Sequence, residues 1–162
     1  MAEFKAKLAI SNIAWDPEED DEISVILSKL LISGIEVGPT KLWDNPTDQD
    51  DYSIKSCLDY WSGKGIKIMA MQALLFGHPE CTIFDNESSR EKTLTYLSEI
   101  ITLGTKLGVK IFVFGSPKNR LVQGLESKKV RDIAIKFFYT LGELAHKNSA
   151  KFCIEPNAVA YG

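Results

Sequence analysis

The sequence predicts an α/β fold built on a parallel β-sheet, and a short internal repeat is the main reason. A pattern of glycine, β-branched residue, charged residue and β-branched residue begins at Gly34, Gly65 and Gly108, with a weaker copy at Ser149. Successive copies lie 31, 43 and 41 residues apart, which is the size of a βα unit. Each copy follows a segment of helical periodicity and opens a short apolar run, as expected where a helix passes into a buried strand.

Five strands are predicted from the apolar runs. Such continuous runs, rich in β-branched and aromatic residues, are typical of strands in a parallel sheet covered on its faces. The glycines that precede them are expected to end each helix in the left-handed conformation. The predicted strands cover residues 8–13, 35–38, 66–71, 110–114 and 152–155.

Four helices are predicted between these strands. The first begins near Glu22 and is ended by Gly34, and the second covers residues 52–61. The third is expected to begin at Ser88, because the segment 88–91 (SSRE) has the form of a capping box. The fourth begins at about Ser127 and carries the clearest amphipathic pattern in the chain.

Two architectures fit strict alternation of strands and helices. One is a (β/α)₈ barrel of the TIM type, of which this chain would supply about four and a half βα units with parallel strands in the order 1-2-3-4-5. The other is an open, doubly wound five-stranded parallel sheet. Periodicity does not separate them, but in both the functional residues lie at the carboxyl ends of the strands.

Length, composition and charge indicate an ordinary globular chain. It has 162 residues, 44% of them hydrophobic, and a net charge of −3, so one domain over residues 1–162 is expected. No apolar stretch is long enough for a membrane span, and the first residues lack the layout of a secretory signal. Three distant cysteines fit neither a disulfide framework nor a zinc ribbon, so a cytoplasmic location is expected. The charge pattern has no basic stripe, and no nucleic-acid partner is expected.

The predicted strand ends carry polar and aromatic side chains. Amides suit the hydroxyl groups of a sugar, tryptophan suits a sugar face, and cationic side chains suit a phosphate or carboxylate. Asparagine and serine are also ordinary loop residues, which is the competing interpretation. The residues chosen as candidate ligands of a polyhydroxylated molecule are Asn12, Trp15, Gln72, His78, Ser116, Lys118, Arg120 and Asn157.

Glu155 is the most informative single residue, because it ends the apolar run 152–154. A carboxylate in such surroundings is costly unless it is paired or bound to a metal. Glu155 is therefore expected either to face a functional site or to form a salt bridge with a lysine of a neighbouring strand. Charged residues in matching positions of the repeat are expected to form a polar plug at the opposite strand ends: Glu36, Lys67, Lys110 and Lys151.

Nucleotide-binding glycine loops and the common hydrolase and zinc-protease motifs do not occur in the sequence. Five segments instead resemble the sugar phosphate isomerase/epimerase family, which has the xylose-isomerase-like TIM barrel. They are SNIAW at 11–15, GIEVGPTKLW at 34–43, QALLFG at 72–77, FGSPKNR at 114–120 and IEPN at 154–157. The segments occur in order over essentially the whole chain.

The resemblance implies an enzyme that moves a proton at a carbon next to a sugar carbonyl, with the help of a divalent Mn, Mg, Co or Zn ion. It implies that Glu155 is both a metal ligand and an acid/base residue. The remaining metal ligands of the family come from strands six to eight, and Gln72 stands where the nuclease branch has a zinc-binding histidine. The chain is therefore expected to be the N-terminal portion of such a barrel and to hold no catalytic metal alone.

Two functional hypotheses follow, and whether this chain is itself an enzyme stays open at this point. The first is a sugar or sugar-phosphate isomerase/epimerase whose activity requires the complete barrel. The second is a non-catalytic carbohydrate-binding or interaction domain that uses the same loops. In either case the first and fifth strands are expected to be open edges of the sheet, which favours a homodimer.

Overall fold

One parallel sheet of five strands forms the centre of the structure, a computed structural model that describes residues 8–122 and 124–158. The order is that of the sequence, each strand pairing in parallel with the next, and this confirms the predicted order 1-2-3-4-5. A doubly wound sheet reverses its strand order, so that alternative is wrong. The strands are β1 (Ala9–Ser11), β2 (Gly34–Val37), β3 (Lys67–Met71), β4 (Ile111–Phe114) and β5 (Lys151–Ile154).

The four predicted helices are present, and a single helical turn, α2, was not predicted. No helix within the described ranges is long and apolar enough to cross a membrane. Among the described residues the α-helices are α1 (Asp20–Lys29), α2 (Pro39–Leu42), α3 (Asp51–Gly63), α4 (Glu87–Lys106) and α5 (Ser127–Lys147).

The core lies between one face of the sheet and the helices. Phe112 and Phe114 of β4 are fully buried, and they pack against Gly104 of α4 and Phe138 of α5 respectively. Ile111 points to the other face and is 44% exposed. The helices thus cover one face, as in a barrel wall, and the opposite face is the open one.

The glycines of the repeat differ in their structural roles. Gly65 and Gly108 have positive φ angles of 72° and 76° and follow α3 and α4 as predicted. The prediction for Gly34 is wrong, because α1 ends at Lys29 and Leu31 takes the left-handed conformation with φ 57°. Gly34 is the first residue of β2, and the Met69 side chain occupies the place where a Cβ at position 34 would lie. Close packing rather than a turn requires this glycine.

Two predicted boundaries are also corrected. Helix α4 is capped by Asn86, whose Oδ1 accepts a hydrogen bond from the Ser89 N–H at 2.9 Å, and Ser88 lies inside the first turn. The capping box at Ser88 is therefore wrong. Strand β1 ends at Ser11 instead of residue 13, because a 3₁₀ turn over Asn12–Ala14 follows it.

Candidate active site

A groove of about 490 Å³ lies at the carboxyl ends of β3, β4 and β5. We call it the strand-end groove. Its wall includes the apolar side chains of Leu75 and Phe76, together with two prolines. Six of the residues predicted from the sequence line it: Gln72, His78, Ser116, Lys118, Glu155 and Asn157.

Glu155 lies in the groove immediately after β5. Its backbone N–H donates to the Phe114 carbonyl at 3.0 Å, which extends the pairing with β4. A Cβ built on Gly115 would lie 2.6 Å from Glu155 Oε2, so the carboxylate occupies the space that a side chain at position 115 would fill. Within residues 8–122 and 124–158 no lysine or arginine forms an ion pair with Glu155. The salt bridge considered from the sequence is therefore not formed.

Glu36 of β2 is a second carboxylate close to this end of the sheet. It pairs with Ser11, the last residue of β1, and the β2–β3 register shifts between Ile35 and Glu36. Burial raises the pKa of Glu36, and the negative charge of Glu155 raises it further. Glu36 therefore does not belong to a polar plug at the amino ends of the strands, as the sequence had suggested. Lys67 and Lys151 do lie at those amino ends.

Two amides support the floor of the groove. Gln72 Nε2 donates to Ser11 Oγ at 2.6 Å, and Asn157 Nδ2 donates to the Gly115 carbonyl at 3.2 Å. Both side chains are thus held through their nitrogen atoms. The hydrogen bonds of the described residues leave the two amide oxygens free to accept from a ligand hydroxyl.

The two predicted cations have different roles. Arg120 Nη2 donates to the Glu155 carbonyl at 2.8 Å, which fastens the loop after β4 to the end of β5. Lys118 lines the groove and takes part in no ion pair of the described part of the chain. Its neighbour Ser116 is in the left-handed conformation with φ 35° and begins the turn that carries Lys118.

Asn12 and Trp15 are not brought to the groove. Asn12 is buried, and its Oδ1 accepts from the Gly38 N–H at 2.8 Å. Trp15 is 7% exposed, and its Nε1 donates to Asp20 Oδ1 at 2.7 Å. Their observed contacts hold the β1 end against β2 and α1.

Sequence reasoning missed Asn119, which joins the two loops that form the groove. Its buried Nδ2 donates to the carbonyls of His78 at 2.8 Å and Cys81 at 2.9 Å. His78 lines the groove, and its Nδ1 lies 3.1 Å from Glu80 Oε1. Asn119 sits inside the quoted segment 114–120, but nothing in its spacing indicates which carbonyls it would reach.

Several solved structures that share this fold are described as sugar isomerases or epimerases. The D-psicose 3-epimerase of Clostridium cellulolyticum H10, solved with D-tagatose, has a TM-score of 0.71 and 13% identity over 92% of this chain and 52% of its own. A sugar phosphate isomerase/epimerase from Parabacteroides distasonis has a TM-score of 0.66 and 14% identity, over 94% of this chain and 52% of its own. An IolI protein with a bound zinc atom has a TM-score of 0.68 and 20% identity, over 92% and 51%.

These similarities confirm the predicted fold class, a portion of an α/β barrel of the TIM type. The chain spans about half the length of the solved structures it matches. No protein-family model and no curated protein matches the sequence.

Proposed function

We propose that the strand-end groove is the half of a sugar isomerase/epimerase active site that this chain contributes, with Glu155 as its acid/base residue. The observation that carries the proposal is the Glu155 carboxylate, which has no ion-pair partner in the described ranges and lies in the groove directly after β5. Catalytic residues of parallel α/β barrels lie at this end of the strands. The shared fold with sugar epimerases supports the choice of substrate class.

The residues present fit one side of a divalent metal site. Glu155 and Glu36 are carboxylates near enough for one charge to raise the pKa of the other, and a cation beside them would relieve that repulsion. Carboxylate and amide oxygens are ligands of Mg²⁺ and Mn²⁺, and Zn²⁺ also accepts carboxylates. A divalent ion bound there would stabilise negative charge on a sugar carbonyl oxygen.

Each of the chain's own side chains in the groove has a separate proposed role. Glu155 removes or returns the proton on the carbon next to the carbonyl, as a positioned general base and acid. The amide oxygens of Gln72 and Asn157 accept hydrogen bonds from sugar hydroxyls and so fix the ring or chain in the groove. Lys118 binds the anionic group of a phosphorylated substrate. The apolar wall around Leu75 and Phe76 packs on the carbon side of the sugar and limits the access of water.

A second candidate function is carbohydrate binding without turnover. The observation in its favour is that Glu155 is the one carboxylate lining the groove within the described residues, whereas a change of stereochemistry needs a proton returned from the opposite face. In that case Gln72, Asn157 and Lys118 alone determine affinity. Both candidates are proposed for a cytoplasmic protein in which residues 1–162 form one domain.

Replacement of Glu155 by Gln tests the first candidate in a complete barrel that contains this half. The variant keeps the shape of the side chain but removes its charge, so turnover should fall by about 10²–10⁴-fold, as for other general acid/base residues. Epimerisation and exchange of the substrate carbon-bound proton with deuterated water are the measurements. The matched control is Glu143→Gln on the exposed surface of α5, which should leave both unchanged.

Normal turnover by the Glu155→Gln variant would contradict the proposed acid/base role of Glu155 and favour the binding function. For the 162-residue chain alone we expect no turnover. Epimerisation by that chain together with tight binding of one divalent ion would contradict the proposal that it holds only half of the site. Under both candidate functions, Lys118→Ala should weaken the binding of a phosphorylated sugar more than the binding of its neutral counterpart.

A further inference from the structure

A second cluster of metal-ligating side chains lies on the loop between β3 and α4. One ligand atom from each of His78, Glu80 and Cys81 lies within 4.8 Å of the other two. His78 Nδ1 is 3.1 Å from Glu80 Oε1, and Cys81 Sγ is 3.9 Å from the same oxygen. In a tetrahedral zinc site with Zn–N and Zn–O near 2.1 Å and Zn–S near 2.3 Å, neighbouring ligand atoms are roughly 3.3–3.7 Å apart. The two separations from Glu80 Oε1 lie close to this range, and the third pair, His78 and Cys81, lies within 4.8 Å, so small side-chain movements would place the three atoms at corners of a tetrahedron.

The surroundings hold these ligands in place. Asn119 Nδ2 donates to the carbonyls of both His78 and Cys81, which fixes the backbone at the two ends of the cluster. The His78 ring packs against Tyr96 in a tilted arrangement, with 4.1 Å between ring centroids and 40° between the ring planes. The Tyr96 hydroxyl is buried and has no hydrogen-bond partner in the part of the chain that the structure describes. Ligands held by such surrounding contacts lose little freedom when an ion binds.

Other uses of the cluster fit the geometry less well. A nucleophilic cysteine needs a lowered thiol pKa, whereas burial and the Glu80 charge raise the pKa of Cys81. The thiol sulfur also lies 3.9 Å from the Glu80 carboxylate, whose negative charge opposes formation of a thiolate. A simple His78–Glu80 ion pair explains the first contact but gives no reason for the buried thiol to approach the same oxygen.

We propose that His78, Glu80 and Cys81 bind one zinc-like divalent ion, with the fourth position open to solvent. The thiol proton is released to solvent as the sulfur–metal bond forms, so that Cys81 binds as a thiolate. A thiolate and an imidazole favour Zn²⁺ over Mg²⁺ or Mn²⁺, whereas the carboxylates beside the strand-end groove are hard ligands. His78 also lines the strand-end groove, but Glu155 is not one of the three ligands, so variants of Glu155 test the proposed function without removing a ligand of this site.

The test uses the 162-residue chain, stripped with a chelator and dialysed. Titration with Zn²⁺ should show one bound ion and the release of protons, and Co²⁺ should give a sulfur-to-metal charge-transfer band. Saturating Zn²⁺ at about 100 times Kd should raise Tm by roughly 5 °C or more. His78→Gln and Cys81→Ser should each weaken binding by at least about tenfold, since even the loss of a residue that only orients a ligand costs 10–100-fold.

Matched controls separate the outcomes. Cys153→Ser and His146→Gln change an exposed cysteine and an exposed histidine elsewhere and should leave the affinity unchanged. The His78 side chain is 27% exposed whereas Cys81 is buried, so the His78 variant tests the site even if Cys81→Ser unfolds. Absence of Zn²⁺ binding, or a Co²⁺ spectrum without the thiolate band, would overturn the proposal. Binding that is lost in Glu155→Gln but retained in His78→Gln would overturn it as well, while supporting the metal site of the proposed function.

Discussion

Glu36 and Glu155 place two negative charges near one end of the sheet without a neutralising cation in the described part of the chain. Burial of Glu36, and after it the negative charge of Glu155, raises the pKa of Glu36, so the folded state disfavours its ionised form relative to the unfolded chain. Enzymes commonly accept such a cost at a functional site, because a substrate or metal later compensates it. The free-energy cost of keeping Glu36 ionised in the folded state depends measurably on pH.

Glu36→Gln should raise the stability of the chain at neutral pH and should have less effect near pH 4. The pKa of Glu36 is raised in the folded state, so the folded form holds its proton more tightly than the unfolded form. The destabilisation is absent below the unfolded pKa, develops as pH rises through the interval up to the folded pKa, and is complete above it. Tm measured from pH 4 to 8 for both proteins checks this. A difference in Tm that is constant across that range would contradict it.

At the scale of single residues, sequence position predicted some site residues and not others. Glu155 was found because a carboxylate that ends an apolar run of the sequence is chemically unusual, although β5 itself is largely exposed in the structure. Glu36 is also a glutamate on a strand, but its position depends on a register shift between β2 and β3. No pattern in the sequence marks that shift. Asn12 and Asn119 are both buried asparagines that bind backbone groups of neighbouring loops, and sequence alone does not separate such roles from ligand binding.

At the scale of elements, the two interior glycines of the long helices should respond in opposite directions to alanine. A Cβ on Gly104 of α4 would lie 2.5 Å and 2.6 Å from two ring atoms of Phe112, whereas Gly142 of α5 has nothing within 4 Å. Gly104→Ala should destabilise by about 1–3 kcal/mol through overpacking. Gly142→Ala should stabilise by about 0.5–1 kcal/mol through helix propensity.

Urea unfolding of the two variants measures both changes, and each is the control for the other. Equal stabilisation by both would mean that the contact between α4 and β4 adapts to the extra methyl group. Equal destabilisation would mean that the exposed face of α5 at Gly142 is covered by another molecule.

Element order and type followed directly from the repeat, because apolar periodicity reflects which face of each element is buried. The first and last residues of the elements were predicted less accurately from the sequence. Asn86 and Ser88 are both acceptable capping residues, and only the backbone conformation selects Asn86, which has φ −152° and ψ 175°. Gly34 lies between a helix and a strand like Gly65, but contact with Met69 determines its place, and Met69 is distant in the sequence.

At the scale of the whole molecule, the sheet has an open face and two open edges within the described residues. Met69 and Ile111 on the strands are 41% and 44% exposed, and Ile154 on the outer strand β5 is 53% exposed. Unpaired strand edges with exposed apolar side chains favour pairing with another chain. We therefore propose that the 162-residue chain self-associates through the sheet, as a homodimer.

Ile154→Lys should shift the chain towards monomer, because a charged side chain on an edge strand opposes strand pairing. The control is Ile135→Lys, which adds the same charge at a 59% exposed position on α5, away from the edge of the sheet. Light scattering after size-exclusion chromatography, over a wide range of concentration, should show a dimer for the unchanged chain and for Ile135→Lys, and a larger monomer fraction for Ile154→Lys. A monodisperse monomer for the unchanged chain at all concentrations would exclude the dimer. Equal dissociation by the two variants would assign the effect to net charge, because only the edge position distinguishes them.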